Sequence, residues 1–215
     1  MRQFAEYRGP LTVEEFLKFE NASSRRHEFV GGRVFAMSGT TARHNSIALN
    51  INRRLHALSS GGPCRAYAID LKVLAPQDRV YYPDGVVVCT AHDSDTLIFG
   101  DPCLIVEVTS RSTRRIDRGE KLDAYLAMMS LRGYVVVEHD RRHVTLYSRD
   151  ADDAWMREEI VTTGRMRLPC LDADLSLDEI YESVDLPPLR VREDEFSEDD
   201  DVEPELEDDD EAWVY

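Results

Sequence analysis

The sequence predicts an α+β fold, a mixed β-sheet with helices packed on it. Three observations carry that reading. The segments run helix, hairpin, helix, three strands, helix and two or more strands, which is not the strict alternation of a doubly wound sheet. The run Leu104-Ile105-Val106-Glu107-Val108 is apolar enough to be a strand covered on both faces. The chain has 215 residues, enough for one domain with a sizeable core, and shows no internal repeat.

Each element has a local reason. Thr12-Val13-Glu14-Glu15 has the form of a capping box and predicts a short helix to about Glu20. Strands over 27–30 and 33–37 flank Gly31-Gly32, a two-residue hairpin signal, with Glu28 in the first strand. Residues 41–59 predict a second helix, because Ile47, Ile51, Leu55 and Leu58 recur at helical spacing and Gly61-Gly62-Pro63 follows. Residues 66–74 alternate and predict one half-buried strand. Pro76-Gln77-Asp78 turns the chain into a strand over 82–89. Residues 92–102 read as a loop before the strand around Glu107. Ser110, Ser112 and Thr113 offer N-caps for a third helix over 114–129, whose apolar positions are Ile116, Leu122, Tyr125, Leu126 and Met129. A hairpin over 134–138 and 143–147, a strand over 156–161 and a short helix over 175–181 complete the order.

The net charge of −16 is unevenly placed. Residues 193–215 hold 14 acidic side chains and no Lys or Arg, which leaves 26 basic against 28 acidic residues before them. The division expected is a folded domain over 1–190 and a disordered acidic tail over 191–215, too poor in apolar residues to offset the entropy of ordering. Such a tail solubilises the chain, or acts as a polyanion that binds a basic partner or occupies a basic cleft of the domain. No cleavable signal and no apolar run of membrane-spanning length is visible, so a cytoplasmic protein is expected. Cys64, Cys89, Cys103 and Cys170 lie far apart without a CxxC and are expected to be reduced, without disulfides. The six histidines show no zinc spacing, and no structural zinc site is expected.

The chemistry concentrates between residues 83 and 125. Asp84 follows Pro83 at the head of one apolar strand, and Glu107 interrupts the next. A lone ionised carboxylate among apolar neighbours costs several kcal/mol, so Glu107 calls for a metal, a cation or a raised pKa. Consecutive strands are usually neighbours, so the two carboxylates can face each other and share a cation. Two hard oxygen ligands, with the main-chain oxygen of Val108 as a third, suit Mg²⁺ or Mn²⁺. Alternation places Ile105, Glu107 and Thr109 on one face of the strand. Only three of the 26 basic residues are lysines, Lys18, Lys72 and Lys121. Lys121 sits on the third helix, where it can lean over the strand ends to position or deprotonate a water. It can equally pair with Asp117 on the helix surface. A metal, two carboxylates and a lysine are equipment for phosphodiester hydrolysis. Arg111, Arg114, Arg115 and Arg118 grip phosphates or form a solvated face.

These residues also carry a resemblance. Pro83-Asp84, Glu107-Val108-Thr109-Ser110 and the run from Ser112 through Arg118-Gly119-Glu120-Lys121 to Tyr125 resemble the Uma-type family of restriction-endonuclease-like proteins, in the PD-(D/E)XK nuclease superfamily. Leu11 to Phe16, Glu28 to Val34 and Arg43-His44-Asn45 resemble its opening helix, first hairpin and second helix, so the likeness covers roughly residues 10–150. It implies a restriction-endonuclease-like central mixed sheet with flanking helices, and a Mg²⁺- or Mn²⁺-dependent endonuclease acting on DNA. It makes Asp84, Glu107 and Lys121 the catalytic residues, with Asp84, Glu107 and Val108 holding the metal. Thr109 stands where the superfamily pattern has Lys, and Lys121 matches the position that supplies it from the helix. Glu28 matches an acidic position that completes or orients the site, and His44 reads as a capping or polar residue. Superfamily members often dimerise to cut both strands, so a homodimer is a further expectation. The alternatives are a nuclease-fold protein with weak or lost catalysis that binds nucleic acid, and an interaction protein working through its tail. The near-neutral domain lacks the strongly basic footprint of a tight DNA binder.

Overall fold

The computed structural model describes residues 3–4, 10–68, 70–110 and 112–188. The expected acidic tail over 191–215 and Arg111 lie outside these residues. The elements in chain order are β1 (Gln3–Phe4), α1 (Val13–Ala22), β2 (His27–Val30), β3 (Arg33–Ala36), α2 (Ala42–Ser59), β4 (Arg65–Tyr67), β5 (Lys72–Ala75), β6 (Arg79–Tyr81), β7 (Gly85–Val88), β8 (Ile98–Phe99) and β9 (Leu104–Thr109). They continue as α3 (Arg114–Asp117), α4 (Glu120–Leu126), β10 (Gly133–Glu138), β11 (His143–Arg149), β12 (Trp155–Val161), β13 (Arg165–Leu168), β14 (Ala173–Ser176) and α5 (Leu177–Ile180).

The fold is α+β, as expected, with strands in two mixed six-stranded sheets and a small hairpin. The first sheet has the order β1-β3-β2-β6-β5-β8, the second β12-β11-β10-β9-β7-β4, and β13 pairs with β14. The expected single strand over 66–74 is two strands in different sheets. Asp70 adopts φ +62 between them and pairs with Arg26 at 2.8 Å. A left-handed residue breaks the extended path, and short-range alternation gives no sign of it. The chain crosses between sheets again at Tyr82-Pro83-Asp84, so the expected strand over 82–89 begins only at Gly85. Asp84 therefore sits where one sheet hands over to the other.

The third helix is also interrupted. α3 ends at Asp117 and α4 begins at Glu120, with Gly119 at φ −128, ψ −97. A Cβ on Gly119 would lie 2.9 Å from the Arg115 carbonyl oxygen, so this close turn requires glycine. The N-cap expectation fails at Thr113, which makes no side-chain cap bond, and holds at Thr12, where the full capping box forms.

Three cores hold the layers together. α2 packs Ile47, Ile51 and Leu55 onto Val87, Leu104, Val106 and Val108 of the second sheet. Leu58, expected on that face, is exposed. The opposite face of the same strands carries Val86, Ile105 and Val136, which meet Tyr81 of the first sheet and Tyr125 of α4. α1 closes the first sheet with Phe16 stacked on Phe29 at 4.9 Å. Burying a large apolar side chain contributes about 1.5–3 kcal/mol. No helix among the described residues is long and apolar enough to cross a membrane.

The four cysteines depart from expectation. They are paired as Cys64–Cys89 and Cys103–Cys170. Their sequence spacing hides the pairing because the sheet creates it. Arg65 lies opposite Val88 in the β4–β7 ladder, so Cys64 and Cys89 face each other one step beyond its end.

Candidate nuclease centre

Asp84 and Glu107 come together through register. Gly85 pairs with Val106 in the antiparallel β7–β9 ladder, and the next step places Asp84 opposite Glu107. Residues opposite each other share a face of the sheet. The Val108 amide donates to Asp84 Oδ2 at 2.7 Å, which fixes that carboxylate. Asn52 on α2 donates to the Asp84 carbonyl at 2.8 Å. A Cβ on Gly85 would lie 2.9 Å from Asn52 Oδ1, so glycine permits the helix to approach here.

Glu107 is 4% exposed. Lys121 Nζ lies 2.9 Å from its Oε1, and the Tyr125 hydroxyl donates to the same oxygen at 3.0 Å. Lys121 Nζ also lies 2.9 Å from Glu28 Oε1 and 3.5 Å from Asp117 Oδ1. The expected pairing with Asp117 exists, but in the interior, since both residues are buried. Asp117 Oδ1 is a buried oxygen without a hydrogen-bond donor. On the other side, His44 Nε2 lies 3.4 Å from Asp84 Oδ2.

Among the described residues, three carboxylates, Glu28, Glu107 and Asp117, thus surround the Lys121 ammonium, and Asp84 lies opposite Glu107 and 3.4 Å from His44. Burial pushes the Glu107 carboxyl well above the usual range, and the charges of Asp117 and Asp84 push the same way against Lys121. Burial also raises Asp117. Burial alone would lower Lys121, but Glu107, Glu28 and Asp117 outweigh it and hold the ammonium well above its ordinary value. Lys121 is therefore a fixed cation rather than a ready proton acceptor. His44 behaves alike: burial opposes its charged form, but Asp84, the Val108 carbonyl and Asp117 raise its pKa. These shifts describe an interior that favours added positive charge.

The residues present fit a hard divalent cation. Among the described residues no donor reaches Asp84 Oδ1 or Glu107 Oε2, while the other oxygen of each carboxylate is held by protein donors. Two adjacent carboxylates, each fixed through one oxygen, are hard oxygen donors of the kind a divalent cation such as Mg²⁺ or Mn²⁺ takes.

The sequence and the fold match known proteins. A family profile described as "Putative restriction endonuclease", Uma2, matches residues 13–179. The chain belongs to the Uma2 family. An uncharacterized protein of Synechocystis sp. is 30% identical over 173 residues, 80% of this chain and 91% of that one. A second from the same organism is 25% identical over 155 residues, 70% of this chain and 88% of that protein. A crystal structure described as a "putative nuclease belonging to DUF820", from Anabaena variabilis, superposes with a TM-score of 0.66 at 16% identity. It covers 80% of this chain and 98% of that one, and at this identity it shows the shared fold alone. The Uma2 assignment makes the chain nuclease-like and restriction-endonuclease-like.

Two residues of this pocket escaped the sequence reading. Tyr125 was legible only as an apolar helix position, and Asn52 not at all. The spacing Asp117, Lys121, Tyr125 is i, i+4, i+8 and puts all three on one stripe, a signal that was present. The arginines divide. Arg114 pairs with Glu138 at 2.6 Å and with Asp140 at 2.9 Å, and Arg118 pairs with Glu138 at 2.9 Å. Arg115 is exposed. Arg114, Arg115, Ile116, Arg118, Gly119 and Glu120 line an open depression of about 740 Å³.

Proposed function

We propose that the protein is a divalent-metal-dependent endonuclease acting on DNA. The observation that carries this reading is the juxtaposition of Asp84 and Glu107 across the β7–β9 ladder, each fixed through one carboxylate oxygen, with the Lys121 ammonium on Glu107. Asp84 and Glu107, with the main-chain oxygen of Val108, would hold Mg²⁺ or Mn²⁺. Such an ion supplies Lewis-acid polarisation of a phosphodiester oxygen and a more acidic water.

The chain's own residues do the rest. The Val108 amide orients Asp84, and Lys121 with Tyr125 orients Glu107. Lys121, kept charged by its carboxylates, donates to the water or to a phosphate oxygen and stabilises charge developing there. Glu28 and Asp117 hold that ammonium in place, and His44 braces Asp84. Arg115, on the rim of the depression, meets the phosphate backbone. DNA as substrate rests on the family's description as restriction endonucleases. Cutting both strands would call for two such sites, which a homodimer supplies. The acidic tail would compete with DNA for its cleft, so a chain ending at residue 192 is expected to cleave faster than the full chain.

Nicking of supercoiled plasmid tests the reading. The full chain is expected to nick in Mg²⁺ or Mn²⁺ and not in excess chelator, and Asp84→Asn is expected to be inactive. Salt-sensitive DNA binding without cleavage would instead favour a nuclease-fold binding protein that has lost catalysis.

A further inference from the structure

The geometry points to a second metal site, a four-thiolate centre formed by Cys64, Cys89, Cys103 and Cys170 when they are reduced, which takes a thiophilic divalent cation of the zinc class. The two disulfides are adjacent. The Sγ atoms of Cys89, Cys103 and Cys170 lie within 4.8 Å of one another, although Cys89 belongs to one pair and the others to the second. The Cys64 sulfur lies 3.6 Å from the Cys170 carbonyl oxygen, which brings the fourth cysteine against the same group.

Two unrelated cross-links have no reason to converge in this way. Four thiolates on one tetrahedral cation do: with metal–sulfur bonds near 2.3 Å, ligand sulfurs stand about 3.8 Å apart. Soft thiolate sets select Zn²⁺ over the oxygen-seeking cations expected at Asp84 and Glu107. The four cysteines come from separate places, before β4, after β7, before β9 and after β13, so a single ion would tie these four segments together. Cys64 is 4% exposed and packs in the core beneath α2, with Cys89 and Cys170 against the same cluster. Arg65 donates to the Cys64 carbonyl at 2.8 Å, placing a cation beside a centre whose four thiolates would leave it net negative.

The position matters for the rest of the molecule. Cys89 follows the strand that Asp84 precedes, and Cys103 precedes the strand that carries Glu107. The centre therefore sits at the far end of both carboxylate strands, roughly 16 Å along β7 from Asp84. It clamps the two strands from the end remote from the proposed nuclease centre. Reaching the reduced state takes two equivalents of a dithiol reductant. Each reduces one disulfide to two thiols and becomes a disulfide itself. Binding of the divalent cation then releases the four thiol protons to solvent.

Cobalt titration of the full-length protein tests this. The protein is reduced anaerobically, freed of reductant, and titrated with Co²⁺ while sulfur-to-cobalt charge-transfer absorption is recorded. One Co²⁺ per chain with thiolate absorption, displaced by Zn²⁺, is expected. The band should survive in Glu107→Ala, which separates this ion from one at the nuclease centre, and should vanish in Cys103→Ser and after oxidation by hydrogen peroxide. Absence of the band in reduced wild-type protein with four free thiols and native circular dichroism would overturn the proposal. So would a band that persists in Cys103→Ser.

Discussion

Lys121 Nζ lies 2.9 Å from Glu107 Oε1, joining the start of α4 to the middle of β9 across a buried pocket. The same ammonium serves Glu28 and Asp117, so it is the common counter-ion of three interior carboxylates. Lys121→Ala leaves those charges uncompensated. Breaking a buried ion pair from one side typically costs 3–5 kcal/mol, and a loss of about that size is expected in urea unfolding at neutral pH. Adding Glu107→Gln to Lys121→Ala should recover part of the loss, because one stranded charge is then gone.

The excess of carboxylates predicts stabilisation by metal. Mg²⁺ or Mn²⁺ should raise the thermal midpoint of the full chain, adding about 2.7 kcal/mol of stability when the ion is a hundredfold above its dissociation constant. Asp84→Asn or Glu107→Gln should remove the metal-dependent rise, read in each case against the variant's own metal-free midpoint. A rise of unchanged size in both variants would place the ion elsewhere.

Arg115 gives a prediction about DNA. It is exposed on the rim of the depression, while Arg114 and Arg118 are tied to Glu138. Arg115→Ala should weaken binding to all DNA sequences alike and reduce the salt dependence of affinity by about one unit of slope. Fluorescence anisotropy across a salt series reads both.

Glu138 predicts a pH dependence away from the metal ligands. Burial would raise its carboxyl, but the Arg118 hydrogen bond, the Arg114 charge and the Thr109 hydroxyl outweigh burial and hold it below the ordinary glutamate range. A depressed folded pKa contributes stability that is present above the unfolded pKa and is lost as pH falls through the folded one. The wild-type protein should therefore lose stability on the acid side of about pH 4.3, and Glu138→Gln should flatten that limb. Because both arginines are partly exposed, the cost of Glu138→Gln at neutral pH should be modest, roughly 1–2 kcal/mol. Denaturant midpoints across the acid range check it.

Much of this was legible in the residues, for identifiable reasons. Glu107 stood out because a carboxylate inside an apolar strand must find a partner, and the alternation of β9 gave its face correctly. Lys121 stood out by the scarcity of lysine. What was hidden depends on three-dimensional crossings. The left-handed turn at Asp70 and the passage through Pro83-Asp84 split predicted strands between two sheets, and local periodicity carries no record of either. The break at Gly119 let α3 and α4 turn Asp117 and Lys121 inward together, where a continuous surface helix would have left them a solvated pair. The cysteines looked unrelated because only the ends of β4, β7, β9 and β13 bring them together.

Single-turnover cleavage of a plasmid in saturating Mn²⁺, by wild-type protein and by Glu107→Gln, tests the central claim most directly. The substitution keeps the side chain's shape and removes its charge, so circular dichroism should be unchanged. Cleavage by wild-type protein and a loss of at least about a thousandfold in the variant, beyond the range of a single peripheral contact, is the predicted result. Equal cleavage by the two proteins would contradict the assignment of this pocket as the nuclease centre.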